Sequence, residues 1–223
     1  MPSTLVHVGF AALIGTALLA DRFDARALLV VLAFAVLPDL DTFVGLWLFE
    51  GGHRTALHNL VLPTVLLVGV WADALRGRDS ILRSRWGPGA YRVAWVGILG
   101  GWIVAGVLLD AHHNGANLLW PLHDEYIDLS GHLLISDQRG IEQTFVSFES
   151  GADGGTTVAD SDSKGASTET HYYTGADPGP DAEPDAERWF YLFDRGEFLL
   201  LALSGYLSAG WRLYEERTPD LPA

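Results

Sequence analysis

The chain has 223 residues, 49% of them hydrophobic, and a positive mean hydropathy, and this length suffices for one domain. It contains no cysteine, which excludes disulfides, thiolate metal ligands and a cysteine nucleophile. The formal net charge is −14, and Lys164 is the single lysine. Nucleic-acid binding requires a basic face, so this charge argues against it. The acidic, lysine-poor composition resembles that of halophilic proteins.

Five apolar runs organise the chain, and each predicts a transmembrane helix. A helix needs ~20 residues to cross a bilayer, and the runs are close to this length. No Lys or Arg precedes Arg22, so the first run predicts a retained helix rather than a signal peptide. The predicted fold class is therefore all-α, a polytopic membrane bundle of about five helices. The runs cover residues 4–20, 27–49, 56–75, 93–111 and 190–213.

The sequence predicts four regions, the first of which is a membrane core over residues 1–123 with the motifs described below. Strand-like alternation at the end of the next region, 124–148, predicts a small extramembrane cap. The Gly, Ser, Thr, Asp and Pro content of residues 149–188 predicts a disordered acidic linker that acts as a tether. Residues 189–223 supply the last transmembrane helix and a C-terminal tail.

The distribution of arginines predicts the orientation of the chain. The loop from 76 to 92 holds five arginines and one acid, Asp79, which is typical of a cytoplasmic loop. Alternation of five spans then places the C-terminus in the cytoplasm, and the N-terminus and residues 115–190 outside. We therefore expect a multi-pass protein of the plasma membrane, with the lipid bilayer as its partner.

Two carboxylates interrupt the second apolar run, at Asp39 and Asp41 after Pro38. Charged groups are costly at that depth, so they indicate a functional site. Proline obstructs a continuous helix, and in an extended segment residues i and i+2 share a face. We therefore expect an unwound segment that aims both carboxylates in one direction. The alternative is a proline kink in which one carboxylate forms a structural ion pair.

Two histidines, His53 and His58, flank the start of the third run, and they cannot share one helical face at i,i+5. The conflict disappears if Thr55 caps the helix, which would leave His53 in the preceding loop and His58 in the first turn. Arg54 would then lie beside a helix N-terminus, where it could bind an anion. The alternative is that Arg54 contacts lipid headgroups.

Further candidate ligands occur at the outer ends of the first and fourth runs. His7 lies in the first, and Asp110 and His113 share a helical face in the fourth, while His112 points away. Four segments thus bring imidazoles and carboxylates to one level of the membrane. A mixed His/Asp set suits a divalent metal, with Zn²⁺ or Mn²⁺ preferred. The candidate metal ligands are His7, Asp39, Asp41, His53, His58, Asp110 and His113.

These residues, in this order, resemble the YdjM-like family of predicted membrane-bound metal-dependent hydrolases. The family pattern is an early His, Pro-Asp-x-Asp, His-Arg-x-x-x-His, a late His-x-x-x-Asp, a Gly, and a final Leu/Tyr-x-Pro. The resemblance covers roughly residues 1–123. The matching residues are His7, Pro38 to Asp41, His53 to His58, Asp110, Gly115 and Trp120-Pro121.

One position departs from the family pattern, because its late histidine falls on Gly106. Either His113, one turn after Asp110 on the same face, replaces that ligand, or the site lacks it and binds metal without turnover. The resemblance implies a metal-dependent hydrolase, and we expect it to act on phosphoester bonds of a lipid or membrane-associated substrate. Asp41 and Arg54 are the candidate catalytic residues, as general base and anion-binding group.

Two hypotheses from other classes remain open at this point. The first is a metal-binding or ion-conducting membrane protein without hydrolytic activity, because buried carboxylates and histidines also mark ion pathways. A pathway needs polar residues along the whole membrane depth, whereas the inner halves of these runs are apolar. The second is a structural membrane protein with buried polar pairs.

Overall fold

A computed structural model describes residues 2–145, 148–150, 156–158, 163–176, 179, 182–183, 185 and 187–218. The described part is mainly helical, with two small hairpins on one end. The helices are α1 (Thr4–Leu18), α2 (Ala25–Val36), α3 (Thr42–Trp47), α4 (Val61–Leu75), α5 (Ile81–Trp86), α6 (Ala90–Trp95), a π-helical segment (Val96–Leu108), α7 (Leu109–Asn114) and α8 (Gly196–Arg217). The strands are β1 (Leu133–Ser136), β2 (Gly140–Gln143), β3 (Phe148–Ser150) and β4 (Thr156–Val158).

Two helical rods are long and apolar enough to cross a membrane. One is Ala25–Trp47, which joins α2 to α3 through a 3₁₀ turn, and the other is Ala90–Asn114, which joins α6, the π-helical segment and α7. Helices α1 and α4 are apolar but have 15 residues each, fewer than the ~20 that a full span requires. Helix α8 has 22 residues and begins at Gly196 rather than at residue 190.

Small residues let the helices approach closely, as expected for packing within a membrane. A Cβ atom at Gly101 would lie 2.5 Å from the carbonyl oxygen of Val31, so the second rod packs directly on the backbone of α2. Gly205 of α8 similarly lies against the backbone of Gly9 in α1. The core between these helices is apolar, with Val31 fully buried.

The two ends of the bundle differ in chemistry. At one end, Arg92 donates a hydrogen bond to the carbonyl oxygen of Leu19 and pairs with Asp21. The start of α2 and the end of α8 lie there too, since Arg212 is 5.8 Å from the ring centroid of Phe23. The opposite end gathers the start of α1, the 3₁₀ turn after α2, the segment before α4, and α7. The candidate ligands lie at that second end.

Beyond α7 the chain forms short antiparallel hairpins. Strand β1 pairs with β2, with Leu133 opposite Gln143, and β3 pairs with β4, with Phe148 opposite Val158. Of the residues with the predicted alternation, at the end of the predicted cap, Gln143 ends β2 and Phe148 begins β3, while residues 146–147 lie outside the described residues.

Part of the predicted acidic linker packs on the loop after α7. We call residues 163–176 the strap. The backbone N–H of Lys164 donates a hydrogen bond to the carbonyl oxygen of Tyr126 at 3.0 Å. The backbone N–H of Tyr126 donates one to the carbonyl oxygen of Gly165, also at 3.0 Å. The Nζ atom of Lys164 lies 2.7 Å from an oxygen of Asp128. Residues 151–155 and 159–162 of the predicted linker lie outside the described residues.

Candidate metal centre

The stretch from Pro38 to Asp41 forms a 3₁₀ turn rather than an extended segment. Proline is tolerated at the first position of a helical turn because its missing N–H has no partner there. Asp41 keeps helical dihedral angles, φ −71° and ψ −10°. The predicted extended conformation is therefore wrong, although both carboxylates lie near His58. Asp39 points towards α1, and Asp41 points towards the segment before α4.

Helix α4 begins at Val61, so the prediction that Thr55 caps it is wrong. Arg54 has φ +61°, a left-handed conformation that a continuous helix cannot include. The side chain of Asn59 accepts the N–H of Leu62 at 3.0 Å and supplies the cap. Thr55 instead donates its hydroxyl to Gly51 at 2.7 Å. Residues 53–60 thus form an irregular, mostly buried segment.

Asp41 holds two imidazoles, one with each carboxylate oxygen. Its Oδ1 lies 2.9 Å from Nδ1 of His53, and its Oδ2 lies 2.8 Å from Nδ1 of His58. Since an ionised carboxylate only accepts hydrogen bonds, both histidines carry a proton on Nδ1. In the neutral form of each imidazole, the Nε2 atom presents a lone pair. A histidine whose other nitrogen donates to a carboxylate is typical of metal ligands.

His7 has the same tautomer for a different reason. Its Nδ1 lies 2.6 Å from the carbonyl oxygen of Ala105, which can only accept a hydrogen bond. Nε2 of His7 faces Asp39 and Asp110, whose oxygens are 3.7 Å and 3.5 Å away, and in the neutral imidazole this atom presents a lone pair.

Four side chains from four separate segments lie close together, and we call His7, Asp39, His58 and Asp110 the central cluster; His7, Asp39 and Asp110 also form one compact group of potential ligands. Nε2 of His58 lies 3.8 Å from Asp39 and 3.1 Å from Asp110. Three members are buried, and Asp39 has 19% of its side chain exposed. Asp39 also accepts a hydrogen bond from the hydroxyl of Thr4. The cluster therefore borders solvent only through Asp39.

The atoms of this cluster fit a divalent metal. Nε2 of His7, Nε2 of His58 and both oxygens of Asp110 are buried without a hydrogen-bond partner in the described part of the chain. Such atoms are costly unless something else satisfies them. In tetrahedral coordination with bonds of about 2.0–2.2 Å, ligand atoms lie about 3.3–3.6 Å apart. The observed separations of 3.1–3.8 Å bracket that range.

The excess of negative charge around the cluster also favours a bound cation. If the histidines act as neutral metal ligands, the nearby carboxylates of Asp39, Asp41 and Asp110 carry three negative charges, and Arg54, which pairs with Asp110, carries one positive charge. Three negative charges against one positive charge leave two uncompensated, and a buried excess of this size requires a counterion. One divalent cation supplies it.

Arg54 is fully buried, which excludes the alternative that it contacts lipid headgroups. Its Nη1 donates to the carbonyl oxygen of Gly115 at 3.0 Å, and its Nη2 lies 3.0 Å from Asp110. The aromatic ring of Tyr172 stacks on the guanidinium at 4.8 Å. Nε and Nη2 of Arg54 have no well-directed hydrogen-bond acceptor among the described residues.

His53 and His113 lie outside the central cluster. His53 groups with Asp41 and His58, and its Nε2 is buried without a partner among the described residues. Nε2 of His113 instead lies 3.3 Å from an oxygen of Asp194, just before α8. The structure does not bring His113 to either group of potential ligands.

Gly106 faces Pro38 rather than the central cluster. A Cβ atom there would lie 2.7 Å from Cγ of the proline, so a side chain at this position would displace the 3₁₀ turn. The position therefore supplies packing where the family pattern has a ligand, and His113 does not take its place.

Sequence reasoning missed the residues outside the membrane core that hold the segment around Arg54. Tyr126 is buried and lies 2.5 Å from the hydroxyl of Thr55, and burial raises its pKa to about 12, so it stays protonated. Tyr172 of the strap donates its hydroxyl to Asn114 at 2.5 Å. The sequence feature that could have indicated a contact from the strap is the pair Tyr172-Tyr173 within an otherwise polar, acidic stretch.

Hydrogen bonds from the strap also fix an acid on the outer loop. Asp124 accepts two hydrogen bonds from Ser167, one from its backbone N–H at 3.0 Å and one from its hydroxyl at 2.7 Å. It also accepts a hydrogen bond from the side-chain amide of Asn117. Burial alone would raise the pKa of Asp124, but these donors outweigh it and the pKa lies below its ordinary value.

Comparison with known proteins identifies the family. The model of a family described as "YdjM inner membrane protein" matches residues 1–170, which include every member of the central cluster and the first half of the strap. No curated protein and no solved structure matches the chain. Because the match covers more than half of the chain, this membrane protein belongs to the YdjM inner membrane protein family.

Proposed function

We propose that the protein is a five-span membrane enzyme that uses a divalent metal, Zn²⁺ or Mn²⁺, at its outer end to hydrolyse phosphoester bonds of a lipid or another membrane-associated substrate. The observation that supports this proposal is the grouping of buried ligand atoms in the central cluster that lack a hydrogen-bond partner among the described residues. Family membership adds the membrane setting but no activity.

The five-span topology takes α1, the two rods, α4 and α8 as spans. Exposed apolar side chains on the shorter or more polar helices support it, because they would otherwise face water. Val65 and Trp71 of α4 are 62% and 56% exposed, and Leu207 and Trp211 of α8 are 72% and 63% exposed. The N-terminus and central cluster then lie outside, and the C-terminus lies in the cytoplasm, in keeping with the arginine-rich loop.

The proposed ligands are His7, Asp39, His58 and Asp110, two nitrogens and two oxygens. These residues would hold a divalent cation, which when bound would supply Lewis acidity towards a phosphoryl oxygen and water. Asp41 uses both oxygens to orient imidazoles, so it positions ligands and is not free to take a proton as a general base.

Arg54 carries the argument for a phosphoester substrate. Its side chain is held rigidly beside Asp110, and Nε and Nη2 lack a well-directed acceptor in the described residues. Guanidinium N–H groups pair well with phosphoryl oxygens, so we infer that Nε and Nη2 could also donate to a substrate anion. We expect a substrate anion to approach from the side of Asp39, which is the partly exposed edge of the cluster.

The test combines metal content with turnover on the purified full-length protein. We expect about one divalent metal per chain in the wild type, and we expect Asp110→Asn to lose it. The control is Asp128→Asn, which should retain the metal because Asp128 lies outside the cluster and pairs with Lys164. Arg54→Gln should keep the metal and lose hydrolysis of phosphoester lipids. Metal-free wild-type protein after incubation with Zn²⁺ or Mn²⁺ would overturn the proposal.

A second candidate is a metal-binding membrane protein without hydrolytic activity. It is favoured by Gly106, which takes the place of a family histidine, and by the pairing of Arg54 with Asp110. Stoichiometric metal with no turnover on any phosphoester tested would select it. An ion pathway fits less well, because the bundle below the cluster is lined by apolar residues such as Ala11, Leu28 and Val31.

A further inference from the structure

The end of the molecule opposite the central cluster carries a short helical hairpin, residues 76–89, with four exposed arginines. Arg76 and Arg78 lie in the turn after α4, and Arg83 and Arg85 lie on α5. None of these four pairs with an acid in the described part of the chain. The hairpin therefore presents positive charge on a protein whose net charge is strongly negative.

The two acids near the hairpin, Asp73 and Asp79, offset only part of the charge of its four arginines. Asp73 at the end of α4 accepts the backbone N–H groups of Ile81 and Leu82 at 2.8 Å and 3.0 Å, and the hydroxyl of Ser80 at 2.8 Å. Its carboxylate is thus used to fix the start of α5. Asp79 is the one acid within the hairpin itself.

Apolar side chains accompany the arginines. Trp86 is 66% exposed and Ile81 is 53% exposed, both on α5. The hairpin joins the end of α4 at Leu75 to the start of the second rod at Ala90, so it lies where two apolar helices end. Tryptophan prefers this boundary, where its ring can sit at the level of lipid headgroups.

We propose that the hairpin 76–89 is a binding surface for anionic phospholipid headgroups of the cytoplasmic leaflet. Guanidinium groups bind phosphate oxygens through paired hydrogen bonds, and basic clusters beside a membrane helix attract anionic lipids. The exposed Trp86 and Ile81 select a lipid surface over a soluble polyanion, since they gain only from an apolar environment. The surface is independent of the proposed hydrolase, because no member of the central cluster belongs to it.

The experiment measures the binding of fluorescent phosphatidylglycerol and phosphatidylcholine to the full-length protein in detergent. We expect wild-type protein to prefer phosphatidylglycerol. The double variant Arg83→Gln/Arg85→Gln should bind phosphatidylglycerol about 25-fold more weakly, about fivefold per arginine, with phosphatidylcholine unchanged. The charge-preserving variant Arg83→Lys/Arg85→Lys should retain most of the preference.

A matched control removes two exposed arginines elsewhere, as Arg139→Gln/Arg188→Gln, and should bind both lipids like the wild type. The same unfolding midpoint for all variants shows that they are folded, and Arg76→Gln/Arg78→Gln replaces any variant that fails this check. Equal wild-type affinity for the two lipids, an equal loss in the control, or displacement of phosphatidylglycerol by equimolar inorganic phosphate would each overturn the proposal.

Discussion

Asp41 orients a proposed metal ligand and is not itself one of the proposed ligands. Both of its oxygens are occupied by Nδ1 atoms, of His53 and of His58, at 2.9 Å and 2.8 Å. It also accepts the backbone N–H of Leu57 at 3.2 Å. This single carboxylate thereby fixes the tautomer and direction of the imidazole that joins the central cluster.

At the residue scale we predict that Asp41→Asn weakens metal binding without removing the site. An asparagine retains one acceptor oxygen, so His58 is less firmly oriented, and loss of such an outer partner costs about 10–100-fold in metal affinity. Competition against a chelator of known affinity measures this change.

The comparison variants for that prediction are His58→Ala and His53→Gln. The first removes a proposed ligand and should abolish stoichiometric binding, while the second lies outside the central cluster and should leave stoichiometry intact. If Asp41→Asn abolished binding as completely as His58→Ala, Asp41 would itself have to be a ligand.

At the element scale, the second rod and the 3₁₀ turn fit against each other through Gly106. We predict that Gly106→Ala destabilises the protein by about 1–3 kcal/mol, because its added methyl group would lie 2.7 Å from Pro38. Unfolding by a denaturing detergent, followed by circular dichroism, measures the loss.

The matched control is Gly69→Ala in α4, where a Cβ atom meets nothing within 4 Å. That variant should be neutral or gain up to about 1 kcal/mol from helix propensity. Equal effects of the two substitutions would contradict the packing argument.

The strap should be held more weakly in acid. The pKa of Asp124 lies below its ordinary value of 3.8, so the stabilisation it provides is fully present above that pH and is lost as pH falls through the lower, folded pKa. The pKa of Asp128 shifts in the same direction, because burial, which raises it, is outweighed by the hydrogen bonds from Lys164 and Ser130 together. Hydrogen exchange of residues 163–170, corrected for intrinsic rates, should therefore accelerate below pH 4.

Asp124→Asn serves as the diagnostic variant for the strap. It should show weaker protection at pH 7 and a smaller acceleration in acid, whereas Asp137→Asn, an exposed acid between β1 and β2, should behave like the wild type. Wild-type pH dependence in Asp124→Asn would show that other groups control the strap.

At the scale of the whole molecule, orientation can be tested directly because the chain has no cysteine. Ser130→Cys lies near the central cluster end and Ser84→Cys lies on α5, and both positions are exposed. We predict that a membrane-impermeant maleimide labels the first from outside intact cells and the second only after lysis. The reverse pattern would invert the proposed topology.

Much of the architecture follows from local patterns in the sequence. Apolar runs predict the two rods, and Pro38 predicts a break in the first rod. These features can be predicted because helix formation and its interruption depend on residues that are close in sequence. The conformation around Arg54 could not be predicted in this way. Arg54 has a left-handed backbone conformation, and its side chain contacts three residues that are distant in sequence, namely Asp110, Gly115 and Tyr172. The same limit applies to the strap, whose composition resembles a disordered tether although parts of it form specific contacts.

Lys164 gives the molecule a built-in chemical reporter. It carries the single side-chain amine of the chain, and that amine is held by Asp128 and by two oxygens of Asn114 at 3.1 Å and 3.2 Å. An amine-selective acylating reagent therefore has one side-chain target, and we expect this amine to react faster when its contacts with Asp128 and Asn114 are broken. The rate of acylation at this position would follow the opening of that region in native membranes, without any engineered label.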